Sequence, residues 1–199
     1  FFQVYTFKLY CPFIINSYDN IMRLYKFIII NLLGFTSPLY GYDSAHIKSQ
    51  LKPEKGDLFK SLVIDIVDGD TIILENNTTV RLVGIQAPKI ALNRKNFKEW
   101  PLGYEAKDAL RDLTMNKSVL LYYGGRKLDR YGRALAHLFL EDGTWVQGEM
   151  LKQGMARVYS FSDNRSIVDD MMKEEKEARL KNTGIWSLDY YKIKPQEIS

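Results

Sequence analysis

From Ser61 onward, apolar and polar positions follow one another with the short period of a strand. SLVIDIV, TIILE and TTVRLV are three runs rich in β-branched residues, separated by Asp68-Gly69-Asp70 and by Asn76-Asn77. The pattern predicts three consecutive antiparallel strands. Ala87 to Trp100 then loses the alternation and gains Lys89, Arg94, Lys95 and Lys98. A loop of that length in a compact domain is expected to have a function beyond connecting.

The period changes after Pro101. Leu102, Ala106, Ala109, Leu110 and Leu113 recur at helical spacing, with Lys107, Asp108, Arg111 and Asp112 on the opposite face, which predicts an amphipathic helix packed on the sheet. SVLLYY (118–123) and ALAHLFL (134–140) return to strand character and are joined by the basic, glycine-rich GGRKLDRYGR. TWVQGEMLKQG reads as a short helix closed by Gly154. After Ser166 a last helix is predicted, with Ile167, Val168, Met171, Met172 and Ala178 facing inward and KEEKEAR forming a solvated face. Five strands, one helix after the third and two after the fifth show no βαβ alternation. They predict an α+β, mainly β domain: a five-stranded OB-type barrel with three helices. Barrels of this type bind oligonucleotides or oligosaccharides across one face.

The N-terminal part has a different texture. The first methionine is Met22; it precedes Arg23, Lys26, the apolar run Phe27 to Phe35, and SPLYGYDSA. Residues 22–45 therefore read as a signal peptide with 1–21 an upstream extension, and the apolar centre is far shorter than the roughly 20 residues that a spanning helix needs. The expectation is an exported protein, periplasmic or secreted, or one anchored to the membrane if the segment is uncleaved. Residues 46–60 are polar, with Pro53 and Gly56, and read as a flexible linker; 61–190 is the domain and 191–199 a tail.

Composition narrows the chemistry. One cysteine, Cys11, excludes an intrachain disulfide and any multi-cysteine zinc site, and His46 and His137 are too few for a histidine metal centre, so oxygen ligands are left for any metal. The net charge of +4 permits a polyanionic partner. Residues 1–41 carry Lys8, Arg23, Lys26 and Asp19, a net of +2, so only +2 remains for the rest and the placement of arginines matters more than their sum.

Three groups of residues could carry chemistry. Asp68, Asp70 and Thr71 sit on a turn between strands with Arg81 on the next strand, an arrangement that could offer oxygens to a hard cation. The bland reading of Asp-Gly-Asp is a hairpin turn. Arg126, Lys127, Asp129, Arg130, Tyr131 and Arg133 share a loop that could clamp a phosphoryl group, because arginine binds phosphate oxygens bidentately. Tyr122, Tyr123, Tyr131, Tyr159 and Phe161 could stack bases of a single strand, although strand alternation must send one of Tyr122 and Tyr123 into the core.

The order VDGDT, VRLVGIQAP, helix, DRYGRALAH, KQGMARV and GIWS resembles the staphylococcal-nuclease-like (thermonuclease) family from about Leu62 to Ser187. The resemblance implies that Asp70 is a Ca²⁺ ligand supported by Asp68, that Arg81 and Arg133 are catalytic and grip the scissile phosphate, and that Tyr131 and Tyr159 line a nucleotide pocket; the clusters themselves add Thr71 in support beside Asp70 and Arg126 as a nucleic-acid contact. Where the family shows aspartate, threonine, proline and glutamate, this chain has Gln86, Ala87, Pro88 and Lys89. The second metal carboxylate and the general base are thus replaced. Gln86 is expected to offer a neutral oxygen to a weakly held Ca²⁺ or other divalent cation, Lys89 to meet phosphate, and Glu99 or Glu105 to serve as substitute base. The implied function is a nuclease hydrolysing DNA or RNA phosphodiesters with a divalent cation, weakened by those losses. The alternative is a non-catalytic module of the same fold that binds single-stranded nucleic acid. The expected partner is DNA or RNA, single-stranded, met by a monomer with no stable membrane association once processed.

Overall fold

The computed structural model describes residues 42–56 and 59–192. The upstream extension, most of the expected signal peptide and the end of the expected tail lie outside these residues.

Strands β2 (Lys60–Asp68), β3 (Thr71–Leu74) and β4 (Thr79–Leu82) form the predicted antiparallel meander. Helix α2 (Gly103–Thr114) follows, then β6 (Ser118–Tyr123) and β7 (Ala134–Leu140). β6 pairs antiparallel with both β2 and β7, and β7 lies parallel to β4. Each of the five strands thus has two neighbours and the sheet closes on itself as the OB-type barrel, a closure that leaves no free edge. Alternation of the strand residues fills its interior: Val63, Ile66, Ile72, Leu74, Val80, Leu82, Val119, Leu121 and Leu138 are each at most 1% exposed. Full burial of such side chains contributes roughly 1.5–3 kcal/mol each.

The three predicted helices are α2, α3 (Val146–Lys152) and α4 (Val168–Leu180). α2 buries Ala106 and Leu110 on the barrel, as its spacing requires. In α4 the expected solvated face is partly wrong. Glu174 and Glu175 are buried while Met172 is 49% exposed, because α4 packs on α3 with Met171 and Ala178, and its neighbouring carboxylate Glu175 accepts the Val158 N–H at 3.1 Å.

The segment expected as a flexible linker is docked on the barrel over its described residues 46–56. Helix α1 (Ser44–Ser49) is capped by Asp43, whose carboxylate accepts the N–H groups of Ala45 and His46 at 3.0 and 3.1 Å. Ile47 and Leu51, four residues apart on one face, bury in the barrel core, and β1 (Lys52–Pro53) pairs with Tyr123 and Tyr122. Two well-spaced apolar side chains and a cap outweigh a polar composition. The helix also takes up Ser44 and Ala45, the last residues of the expected signal peptide. Two further short strands, β5 (Ile85–Gln86) and β8 (Arg157–Val158), pair outside the barrel and set Gln86 opposite Arg157. Among the described residues no helix is long and apolar enough to cross a membrane.

Candidate functional site

The β2–β3 turn places both aspartates. Asp70 donates its N–H to Asp68 Oδ1 at 3.2 Å, and the register Thr71↔Arg81 brings Arg81 beside Asp70. Gly69 is required between them: a Cβ there would stand 2.7 Å from the Ala87 Cβ and 2.8 Å from the Ala106 Cβ. The turn is therefore pressed against both α2 and the loop after β5. Asp70 is fully buried and Asp68 nearly so.

Every Asp70 oxygen is engaged. Oδ2 accepts the Ala87 N–H at 2.9 Å and lies 3.3 Å from the Arg81 guanidinium; Oδ1 accepts the Thr71 hydroxyl at 3.2 Å. Lys89 Nζ lies 2.8 Å from both oxygens and 3.1 Å from Asp68 Oδ2. Burial would raise the Asp70 pKa, but the charges of Arg81 and Lys89 outweigh it and hold the carboxyl below the usual range. Asp68 is pushed the other way, by burial first and then by the charge of Asp70.

Lys89 is therefore not a free phosphate contact. Its position is fixed by the loop: the Lys89 carbonyl accepts the Trp100 N–H at 2.9 Å, Ile90 is buried, and Glu99 closes the loop by accepting the Ala91 N–H at 3.0 Å and the Tyr104 hydroxyl at 2.8 Å. Glu99 is consequently a loop clasp and is not directed at the aspartates. Glu105 lies on α2 and lines a different hollow, with Asp108, Asp112 and Gln153. Neither carboxylate is placed as the expected substitute base. Gln86 is likewise committed: its Oε1 accepts Arg157 Nε at 3.0 Å and a terminal Arg157 nitrogen at 2.6 Å.

The residues thus do not fit the divalent cation that the resemblance implies. The Asp70 oxygens face an ammonium, the Gln86 oxygen belongs to Arg157, and no group of three or more histidine, cysteine, aspartate or glutamate side chains suited to a metal occurs among the described residues.

Arg81 is shared between this cluster and the surface. One terminal nitrogen donates to the carbonyls of Leu82 at 2.7 Å and Asp70 at 3.3 Å, and the other to the Ile85 carbonyl at 2.7 Å. Its remaining exposure opens onto a groove of about 570 Å³, so it lends positive field more than an open fork.

The groove itself is built by the loop between β6 and β7 and by the segment after β8. Asp129 organises the loop, accepting the N–H groups of Tyr131 and Arg133 at 2.8 and 3.0 Å and Arg133 Nε at 2.7 Å. Arg133 is thus tied to Asp129 through Nε, its side chain is about one third exposed, and its terminal nitrogens make no hydrogen bond among the described residues. Arg126 and Arg130 also line the groove, unpaired with any carboxylate among the described residues. Gly125 lets the two segments meet, since a Cβ there would overlap the Asp163 carbonyl. Tyr131, Tyr159 and Phe161 are 68%, 42% and 63% exposed, and the last two meet edge to face. Tyr122 and Tyr123 are not part of this surface. Tyr123 is buried, and Tyr122 packs on Phe59 and Phe139. Sequence reasoning missed Arg157; its signal, one arginine in MARV, shows its meaning only once β5 and β8 are paired.

The fold and this rim define a closed OB-type barrel with a cationic, aromatic face. The chain belongs to the family described as Staphylococcal nuclease homologue, whose profile matches residues 79–188. The thermonuclease of Staphylococcus hyicus is 30% identical over 128 residues, covering 63% of this chain and 74% of that protein. The SPbeta prophage-derived endonuclease YokF of Bacillus subtilis is 35% identical over 130 residues, 63% of this chain but only 43% of that longer protein. The uncharacterized protein MJ1439 of Methanocaldococcus jannaschii is 29% identical over 205 aligned positions, covering 84% and 96% of the two chains.

Proposed function

We propose that this protein holds single-stranded nucleic acid in the groove, with Arg126, Arg130 and Arg133 on phosphates and Tyr131, Tyr159 and Phe161 stacked on bases. The observation that carries this reading is the convergence of open guanidinium groups and exposed rings on one surface. Arginine gives charge-assisted, bidentate bonds to phosphate oxygens, and stacking accepts any base at roughly 1–3 kcal/mol each. Membership of a nuclease family supports nucleic acid as the partner.

Hydrolysis is a second reading, favoured by the presence of both Arg81 and Arg133 on the groove and by relatives named as nucleases. Arg133 could stabilise the charge that builds on a phosphoryl group under attack by water. The water's proton still needs an acceptor, and Lys89, Glu99 and Glu105 do not supply one at this site. Loss of a general base lowers a rate by about 10²- to 10⁴-fold, so any cleavage is expected to be slow.

Fluorescence anisotropy with labelled single-stranded DNA and RNA, run beside gels of the same samples, separates the readings. Binding that weakens in Arg126→Ala and Arg133→Ala, without products over hours, supports the first. Products that appear with wild type and vanish with Arg133→Ala support the second. Absence of binding to either nucleic acid together with absence of products refutes both.

A further inference from the structure

We infer that Lys89 is a resident cation, which makes the carboxylate site indifferent to Ca²⁺ and leaves the adjoining groove assembled without any metal. An ammonium has three N–H donors, and Lys89 meets three carboxylate oxygens, two of Asp70 and one of Asp68, at 2.8, 2.8 and 3.1 Å. Its hydrogen-bonding capacity is full.

Charge decides the matter. Asp68 and Asp70 bring −2 and Lys89 and Arg81 bring +2, so the cluster is neutral as it stands. A hard divalent cation gains affinity from the number of anionic oxygens it meets. Here it would meet a neutral cluster in which two cations already hold the oxygens, and it would have to displace one of them. The lysine side chain is 22% exposed, so solvent reaches the edge of the site and the exclusion is electrostatic, not steric. Nor can the loop readily withdraw Lys89, because its backbone is pinned to Trp100 and its neighbour Ile90 is buried under α2 beside Gly103. Of the residues that could supply further oxygen, Gln86 is bonded twice to Arg157, and Ala87 has only a neutral main-chain carbonyl to offer, which adds no anionic charge.

The consequence for the groove rests on the nucleic-acid reading above, and the experiment keeps the two apart. Calcium chloride is titrated calorimetrically into the full chain in the absence of nucleic acid, and melting temperatures are recorded in EDTA and in Ca²⁺. Wild type is expected to give no saturable heat and an unchanged melting temperature. Lys89→Ala and Lys89→Gln leave Asp68 and Asp70 with Arg81 alone. They are expected to melt lower than wild type in EDTA and to regain on the order of 5 °C at Ca²⁺ well above its dissociation constant. Saturable one-to-one Ca²⁺ uptake by wild type overturns the inference, as do variants that melt like wild type and ignore Ca²⁺. Should the variants not fold, the wild-type titration decides alone. In a separate arm, binding of a labelled single-stranded oligonucleotide is measured in EDTA and in Ca²⁺. Equal affinity supports cation independence, and a requirement for Ca²⁺ overturns it. No binding in either buffer, with wild type still silent to Ca²⁺, rejects the groove and leaves the resident cation standing.

Discussion

Two charged clusters meet at Arg81 and use their charge in opposite ways. In the Asp68–Asp70–Lys89 cluster, with Arg81 counted, every charge has an internal partner, the carboxylates are buried and the sum is zero. In the groove, Arg126, Arg130 and Arg133 outnumber Asp129 and Asp163, and the rings beside them stand in water. Charge closed on itself fixes backbone and stores little capacity for a ligand; charge left open keeps that capacity. If Lys89 is the resident cation inferred above, the site that the resemblance marks for metal chemistry is structural, and the capacity to bind lies with the unpaired arginines and exposed rings beside it.

The largest test of that contrast is Asp70→Ala. It leaves Arg81 without a carboxylate, Lys89 with Asp68 alone and the buried Ala87 N–H without its acceptor, so a loss of about 3–5 kcal/mol in urea unfolding is expected. A loss below about 1 kcal/mol would mean that the closed cluster holds nothing together. On the open side, Arg126→Ala/Arg133→Ala is expected to leave the urea midpoint nearly unchanged and to weaken oligonucleotide binding about a hundredfold. The slope of log affinity against log salt should shrink by about 0.7 for each phosphate contact removed from a single strand. Affinity that falls without a change of salt slope would show that these arginines do not meet phosphate.

How much of this contrast was legible before the structure varies by residue. Alternation showed the five barrel strands and helical spacing showed α2, because burial of an apolar face is a local property of sequence. Asp68, Gly69, Asp70 and Arg81 were legible as a group, since a turn and one strand register bring them together. The partners of Gln86 and Lys89 were not. Arg157 reaches Gln86 from 71 positions away through a two-residue strand pair, and Lys89 turns inward only because the loop that follows it closes on Trp100. α1 was missed for the related reason that its burial depends on two side chains within a polar run.

Acid sharpens the comparison, because the two sides titrate differently. His137 is buried with its Nδ1 unpaired, and burial lowers its pKa to about 3. The unfolded ring takes a proton near 6.5 while the folded ring does not, so the unfolded state binds more protons between those values. Stability is then full above about 6.5 and falls as pH drops toward 3, by about 1.4 kcal/mol per unit once well below 6.5. Asp70, held below its ordinary range by Arg81 and Lys89, adds loss lower down, as pH falls through the folded pKa; Asp68, raised, opposes it. Urea unfolding at pH 7.5, 5.5 and 4.5 for wild type and His137→Phe isolates the histidine, since the variant should lose its part of the slope. Arginine stays protonated throughout, so oligonucleotide affinity should be equal at pH 7.5 and 5.5. A tenfold change there would mean that a titrating group, and not the open guanidinium face, governs binding.

The smallest expected effect is also the most selective. Tyr131 is 68% exposed, and its ring lies 4.7 Å from the Arg130 guanidinium and 5.7 Å from that of Arg133. Replacement by alanine removes a stacking face without opening a cavity, so the urea midpoint should not move. Binding should weaken by roughly 1 kcal/mol, at the low end for a base on an aromatic ring because the exposed ring is only partly desolvated. Tyr131→Phe keeps the face and loses only the hydroxyl, so it should bind as wild type does. If phenylalanine weakens binding as much as alanine, the hydroxyl is making a hydrogen bond and the groove reads its ligand by polar contact instead of stacking. If neither changes binding, the strand runs along the arginines without using this ring, and the open face is electrostatic alone.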